Sequence, residues 1–128
     1  MIVREGEIIA ACANEVTLTN DPTAHAEIAT IREACRKLKA FQLSGCEIYS
    51  SCEPCPMCLG AIYWARLNRL YFAATRKEAA GAGFDDEFLY QQVELPVERR
   101  SLPTQRIESV GADRPFQIWK AKADRREY

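Results

Sequence analysis

Four side chains in this sequence are of the types that hold a metal ion and move protons beside it: His25, Glu27, Cys55 and Cys58. Cys55 and Cys58 stand three apart in Ser51-Cys52-Glu53-Pro54-Cys55-Pro56-Met57-Cys58-Leu59-Gly60, and positions three apart on a helix share a face. Alone, a C-x-x-C pair is ambiguous between zinc, an iron–sulfur cluster and a redox couple. His25 narrows the choice. It is the only histidine in 128 residues, and it stands two before a glutamate in Thr23-Ala24-His25-Ala26-Glu27. One imidazole and two thiolates leave the fourth tetrahedral position for water, which is the ligand count of a catalytic zinc and not of a closed structural one. Glu27 reaches the same region without ligand duty, and proton transfer is the task left for it.

Such a site needs two helix starts that face each other. Asn20-Asp21-Pro22-Thr23 supplies candidate caps and a proline suited to a first turn. Ile28, Ile31, Cys35 and Leu38 then recur at spacings of 3, 4 and 3, the buried stripe of a helix running to about Lys39. Glu47 to Ser51 reads as a strand ended near Pro54, with a second helix from about Cys55 to Ala65 and a further strand over Leu70 to Ala74. Met1 to Val3 and Ile8 to Cys12 read as two strands joined at a glycine turn. This alternation predicts a single α/β domain over 1–128 with parallel pairing in its later strands. Ligands of such sheets bind at the carboxyl ends of strands, where helices begin, and helix N-termini favour thiolates. Beyond Ala74 the expectation is a flexible connector at 79–83, a short helix over 87–92, irregular chain over 94–104, a short strand over 106–110 and a helix over 114–123.

Composition bounds the function. The chain carries 17 basic and 18 acidic residues for a net charge of −1. It therefore lacks the basic excess of a nucleic-acid binder, and a free small molecule is the expected substrate. No apolar run approaches the roughly 20 residues of a membrane span, and no leader precedes the first strand, so a soluble cytoplasmic protein is expected. Six cysteines would then be thiols and not disulfides, with Cys12, Cys35 and Cys46 read as buried ones. A rival reading joins Cys52 to Cys55, Cys58 and His25 in a closed Cys₃His zinc site, or with Cys46 in part of an iron–sulfur site. It leaves the H-x-E spacing unexplained.

H-x-E followed by P-C-x-x-C is the signature of zinc-dependent nucleobase deaminases. The runs N-D-P-T-A-H-A-E and S-C-E-P-C-P-M-C-L-G-A-I-Y-W-A-R resemble the cytidine-deaminase-like superfamily. Within it A-G-F-D-D-E-F at 82–88, P-F-Q-I-W at 115–119 and the terminal R-R-E-Y are similar to bacterial guanine deaminases, so the resemblance covers nearly the whole chain. It implies a three-layer α/β/α cytidine-deaminase-like fold with a mixed sheet. It also implies one zinc per chain on His25, Cys55 and Cys58, and hydrolysis of guanine to xanthine and ammonia with Glu27 as proton shuttle. Asn14 would then hydrogen-bond the purine, Asp86 would face the donor-rich edge of guanine, and Trp64 would lie beside the base. Tyr128 would close the pocket of a neighbouring subunit after residues from about 105 to 128 swap across a homodimer. The family also has an N-terminal helix and a P-F-G-A-V-like first strand. This sequence starts inside that strand, which predicts one sheet face uncovered and a pocket aromatic lost. Two other functions share part of this pattern: deamination of adenosine in tRNA, and a non-catalytic zinc scaffold, against which an intact Glu27 weighs.

Overall fold

A computed structural model describes residues 1–84 and 86–127. Its first element is a hairpin of β1 (Ile2–Arg4) and β2 (Glu7–Ala10). The two linking residues, Glu5 and Gly6, both have positive φ, at 52° and 82°. This is the two-residue loop whose twist matches that of paired strands, with glycine taking one of the positions where a Cβ is costly. β3 (Cys46–Cys52) and β4 (Arg69–Ala74) complete a sheet of order β2-β1-β3-β4. β1 is antiparallel to both its neighbours, and β3 runs parallel to β4 with Ile48 opposite Leu70, so the sheet is mixed. A parallel pair needs a crossover, and the helix between these two strands provides it.

Helix α1 (Val16–Thr19) is a single turn; α2 (Ala26–Leu38) joins the hairpin to β3, and α3 (Pro56–Trp64) joins β3 to β4. α2 and α3 pack on one face of the sheet. Ile31 and Ala34 of α2 and Ile62 of α3 meet Ile2, Ala10, Cys46 and Ile48 from the strands in one apolar cluster. Ile48 is 1% exposed at its centre, where truncation to alanine costs about 2–5 kcal/mol. Of the expected α2 stripe, Ile28 and Ile31 are buried, while Cys35 and Leu38 pack partly buried against the cluster. Thr30 is the one buried polar side chain among the described residues, and its hydroxyl donates to the Ala26 carbonyl at 2.6 Å. The opposite sheet face carries Ile8, Tyr49 and Tyr71 in the open, the two tyrosines stacked with ring centroids 4.6 Å apart.

Past β4 lie α4 (Arg76–Gly81), α5 (Asp86–Glu94), a 3-10 turn at Val97–Arg99 and α6 (Arg114–Ala121). α4 overlaps the stretch expected as a flexible connector. Thr75 and Glu78 form a reciprocal capping box at its start, Thr75 Oγ1 accepting from the Glu78 N–H and Glu78 from the Thr75 N–H. The expected strand over 106–110 is not formed. The segment pairs with none of the four strands, and apolar residues alone make no ladder. Every described residue from Ser101 to Glu127 is exposed, including the apolar face of α6.

Candidate metal centre

His25 is the N-cap of α2 and Cys55 the N-cap of α3, both with extended backbone at φ −64°, ψ 152° and φ −63°, ψ 167°. Each carbonyl already accepts its first helical hydrogen bond, from Ala29 and from Leu59 at 2.9 Å, so the helix starts hold both residues rigidly. Pro56 at the first position of α3 pre-sets its φ without wasting a donor. Cys58 follows one turn later and is 0% exposed.

These elements bring His25, Cys55 and Cys58 together. One ligand atom from each lies within 4.8 Å of the other two, in the one such cluster among the described residues. Cys55 Sγ is 3.7 Å from His25 Nδ1. Sulfur and nitrogen donors bound tetrahedrally at about 2.3 and 2.1 Å from one ion stand roughly 3.6 Å apart. The donor set, its spacing and its burial therefore fit zinc. Cys52 is outside the cluster; its Sγ points to the Thr75 carbonyl at 3.8 Å. That removes the closed Cys₃His alternative. All six cysteines are free thiols.

The two thiols are driven apart in acidity. The Cys58 side chain lowers the Cys55 pKa to about 6; the amides of Cys58 and Met57 at the helix start and the His25 ring add to this, against the cost of burial. Cys58 is driven the other way, by the Cys55 sulfur beside it, by burial and by the nearby Glu27 carboxylate. The expected thiolate preference at a helix start thus appears at Cys55 in the metal-free pair. A bound cation displaces the Cys58 proton and makes both sulfurs ligands. Burial raises the Cys35 and Cys46 thiols above the ordinary value. Cys46 is fully buried, as expected, but Cys12 and Cys35 are only half-buried, and Cys12 lines a surface cavity beside Asp21 and Arg32.

Glu27 sits in the first turn of α2, with Oε2 3.5 Å from Cys58 Sγ. Its other oxygen, Oε1, accepts a hydrogen bond from Ser50 Oγ at 2.7 Å. Ser50 was not legible as a site residue, because a serine within a strand carries no motif. A cavity of about 470 Å³ opens over the centre and is lined by Asn14, His25, Glu27, Cys52, Cys55, Phe84 and Asp86, among others. Asn14 and Asp86 thus line the cavity over the centre. Asn14 is at once a turn residue, its Oδ1 accepting from the Val16 N–H at 3.1 Å. Asp86 opens α5, which is tied to the metal loop by Tyr90, whose hydroxyl donates to the Pro54 carbonyl at 2.7 Å. Arg76 braces that contact, stacking over the Tyr90 ring at 4.5 Å and pairing with Glu87 at 3.4 Å.

Trp64 is not brought to the centre. It ends α3, six residues beyond Cys58 and so about 9 Å further along the axis. It lines a separate apolar groove with Ile31, Phe41 and Ala61. The aromatic that does reach the cavity is Phe84, 65% exposed, in the A-G-F-D-D run. Tyr128 lies outside the described residues.

Comparison with known proteins agrees with this geometry. The family model for the cytidine and deoxycytidylate deaminase zinc-binding region matches residues 1–74, which span the hairpin, both metal-bearing helices and β4. Guanine deaminase of Bacillus subtilis (strain 168) is 51% identical over 128 residues, covering 100% of this chain and 82% of that protein. The X-ray structure of guanine deaminase from Bacillus subtilis superposes with a TM-score of 0.96, covering 99% of this chain and 81% of that one. The tRNA-specific adenosine deaminase of Aquifex aeolicus is 47% identical over 81 residues, covering 63% of this chain and 54% of that protein. With an imidazole and two sulfurs converging at two helix starts, and a glutamate oxygen beside them, the chain belongs to the cytidine and deoxycytidylate deaminase zinc-binding family.

Proposed function

We propose that this chain hydrolyses guanine to xanthine and ammonia. The observation that carries the reading is the clustering of the His25, Cys55 and Cys58 donors beside a single cavity that is lined by His25, Cys55, Glu27 and Asp86. His25, Cys55 and Cys58 hold one zinc, which when bound supplies a Lewis acid and a water that ionises at a pKa of about 7. Glu27 is the proton shuttle. It accepts one proton from water as the C–O bond forms at the amino-bearing carbon and delivers it to the adjacent ring nitrogen; it then takes the second proton from the new hydroxyl and gives it to the amine, so that the C–N bond breaks, the carbonyl forms and ammonia departs. Asp86 accepts from the N–H groups of the guanine edge, Asn14 hydrogen-bonds the purine, and Phe84 offers its ring as a flat apolar wall. Guanine is favoured over an adenosine in tRNA because the likeness to the guanine deaminase of Bacillus subtilis includes α5 and the C-terminal segment. The likeness to tRNA-specific adenosine deaminase covers 63% of this chain.

The active form in this reading is a homodimer in which residues from about 105 onward cross to the neighbouring copy and bring Tyr128 over its cavity. Phe116, Ile118 and Trp119 of α6 are exposed on their own chain, and an apolar helix face of this kind requires a covering surface. We place the protein in the cytoplasm, where six free thiols stay reduced. No helix among the described residues is long and apolar enough to cross a membrane.

The test is xanthine and ammonia release from guanine by the zinc-loaded chain, beside Glu27→Gln. Turnover by the first and its loss in the second, with zinc retained by both, supports the reading. Inosine formation in tRNA without xanthine formation replaces guanine with adenosine, and zinc retention without turnover in either protein leaves a scaffold.

A further inference from the structure

Strand alternation puts Cys46, Ile48 and Ser50 of β3 on the face that α2 and α3 cover. The first two are buried apolar residues at the centre of the core. The third is a hydroxyl, which at a half-buried position is costly unless it finds a partner. That partner is Glu27 Oε1 at 2.7 Å, within the range of a charge-assisted O–H···O⁻ bond.

The carboxylate has a second contact, on its other oxygen: Oε2 lies 3.5 Å from Cys58 Sγ, a member of the donor cluster. Ser50 is not one of the three clustered donors. We propose that Ser50 is a positioning residue for Glu27: its hydroxyl holds Oε1 against β3 and thereby leaves Oε2 facing the cluster and the cavity. This rests on Glu27 being the proton shuttle of the deamination described above. It assigns β3 a part in the reaction that neither metal motif contains.

The test compares zinc-loaded wild type, Ser50→Ala and Ser50→Thr by guanine kinetics, zinc content and crystal structure. In Ser50→Ala, kcat falls about tenfold, the size expected from one hydrogen bond to a charged group, while KM stays within about twofold. Zinc remains at one per chain, and Glu27 occupies more than one rotamer where the wild type has one. Ser50→Thr, which keeps the hydroxyl, recovers most of kcat and the single rotamer. The proposal is overturned if Ser50→Ala turns over within twofold of wild type with Glu27 unmoved, if Ser50→Thr is as slow as Ser50→Ala, or if only KM changes. A wild type that releases no ammonia from guanine defeats the functional reading instead, and the Glu27 rotamers still decide the role of Ser50.

Discussion

At the scale of single residues, the proposed function assigns ligand, proton-carrier and purine-contact roles to separate side chains, each of which can be tested alone. Glu27→Gln keeps the shape of the carboxylate but cannot carry a proton, and we expect a loss of about 10²–10⁴ in kcat with zinc content unchanged. Cys52→Ser retains zinc at one per chain by metal analysis, because its sulfur points to the Thr75 carbonyl and away from the cluster. In metal-free protein, alkylation of Cys55 followed by mass spectrometry rises through a midpoint near pH 6, the value to which the Cys58 side chain and the helix-start amides bring it. The sign follows from a lowered pKa: the reactive thiolate is present above that midpoint and lost below it, while Cys58, shifted upward, stays protonated and slow. Adding zinc protects both. Phe84→Ala is expected to raise KM for guanine by about tenfold while sparing kcat, the loss of one aromatic wall; an unchanged KM rules out Phe84 as a purine contact.

At the scale of elements, two helix N-termini are aimed at one point because α2 and α3 pack side by side on the same sheet face. The third wall of the cavity is held more lightly. α4 starts on the Thr75–Glu78 capping box, and α5 is tied to the metal loop through Tyr90 and Pro54. Thr75→Ala removes the cap and is expected to cost about 1 kcal/mol in denaturant unfolding. Tyr90→Phe deletes one hydroxyl from the joint between Asp86 and the metal loop, so guanine KM should rise with zinc retained. This wall was the least legible part of the chain. Ala79-Ala80-Gly81-Ala82-Gly83 reads as flexible by composition, and what makes its first half helical is a cap upstream of it. The strand expected at 106–110 failed for the converse reason, since a strand exists only where another edge accepts it.

At the scale of the whole molecule, the body ends near the 3-10 turn at Val97–Arg99, and the rest of the described chain lies exposed on its own copy. Ending the chain at residue 104 is expected to turn a dimer into a monomer by light scattering and to abolish guanine turnover while one zinc stays bound. The ligands all precede that point. A monomeric chain of all 128 residues with full activity would sink the exchanged-segment reading.

The metal set was readable from residue types and spacing, because three ligands at two helix starts obey local rules: caps, a proline at the first turn, and a shared face three residues apart. Asn14 and Asp86 were available only through resemblance, since an asparagine in a turn and an aspartate opening a helix are ordinary where they stand. Tertiary structure alone decided that Cys52 points away, that Trp64 rides too far along α3 to face the cavity while Phe84 reaches it, and that Ser50 grips Glu27. Each of these depends on where a side chain points after strands and helices have packed, a direction set by contacts between residues distant in the chain.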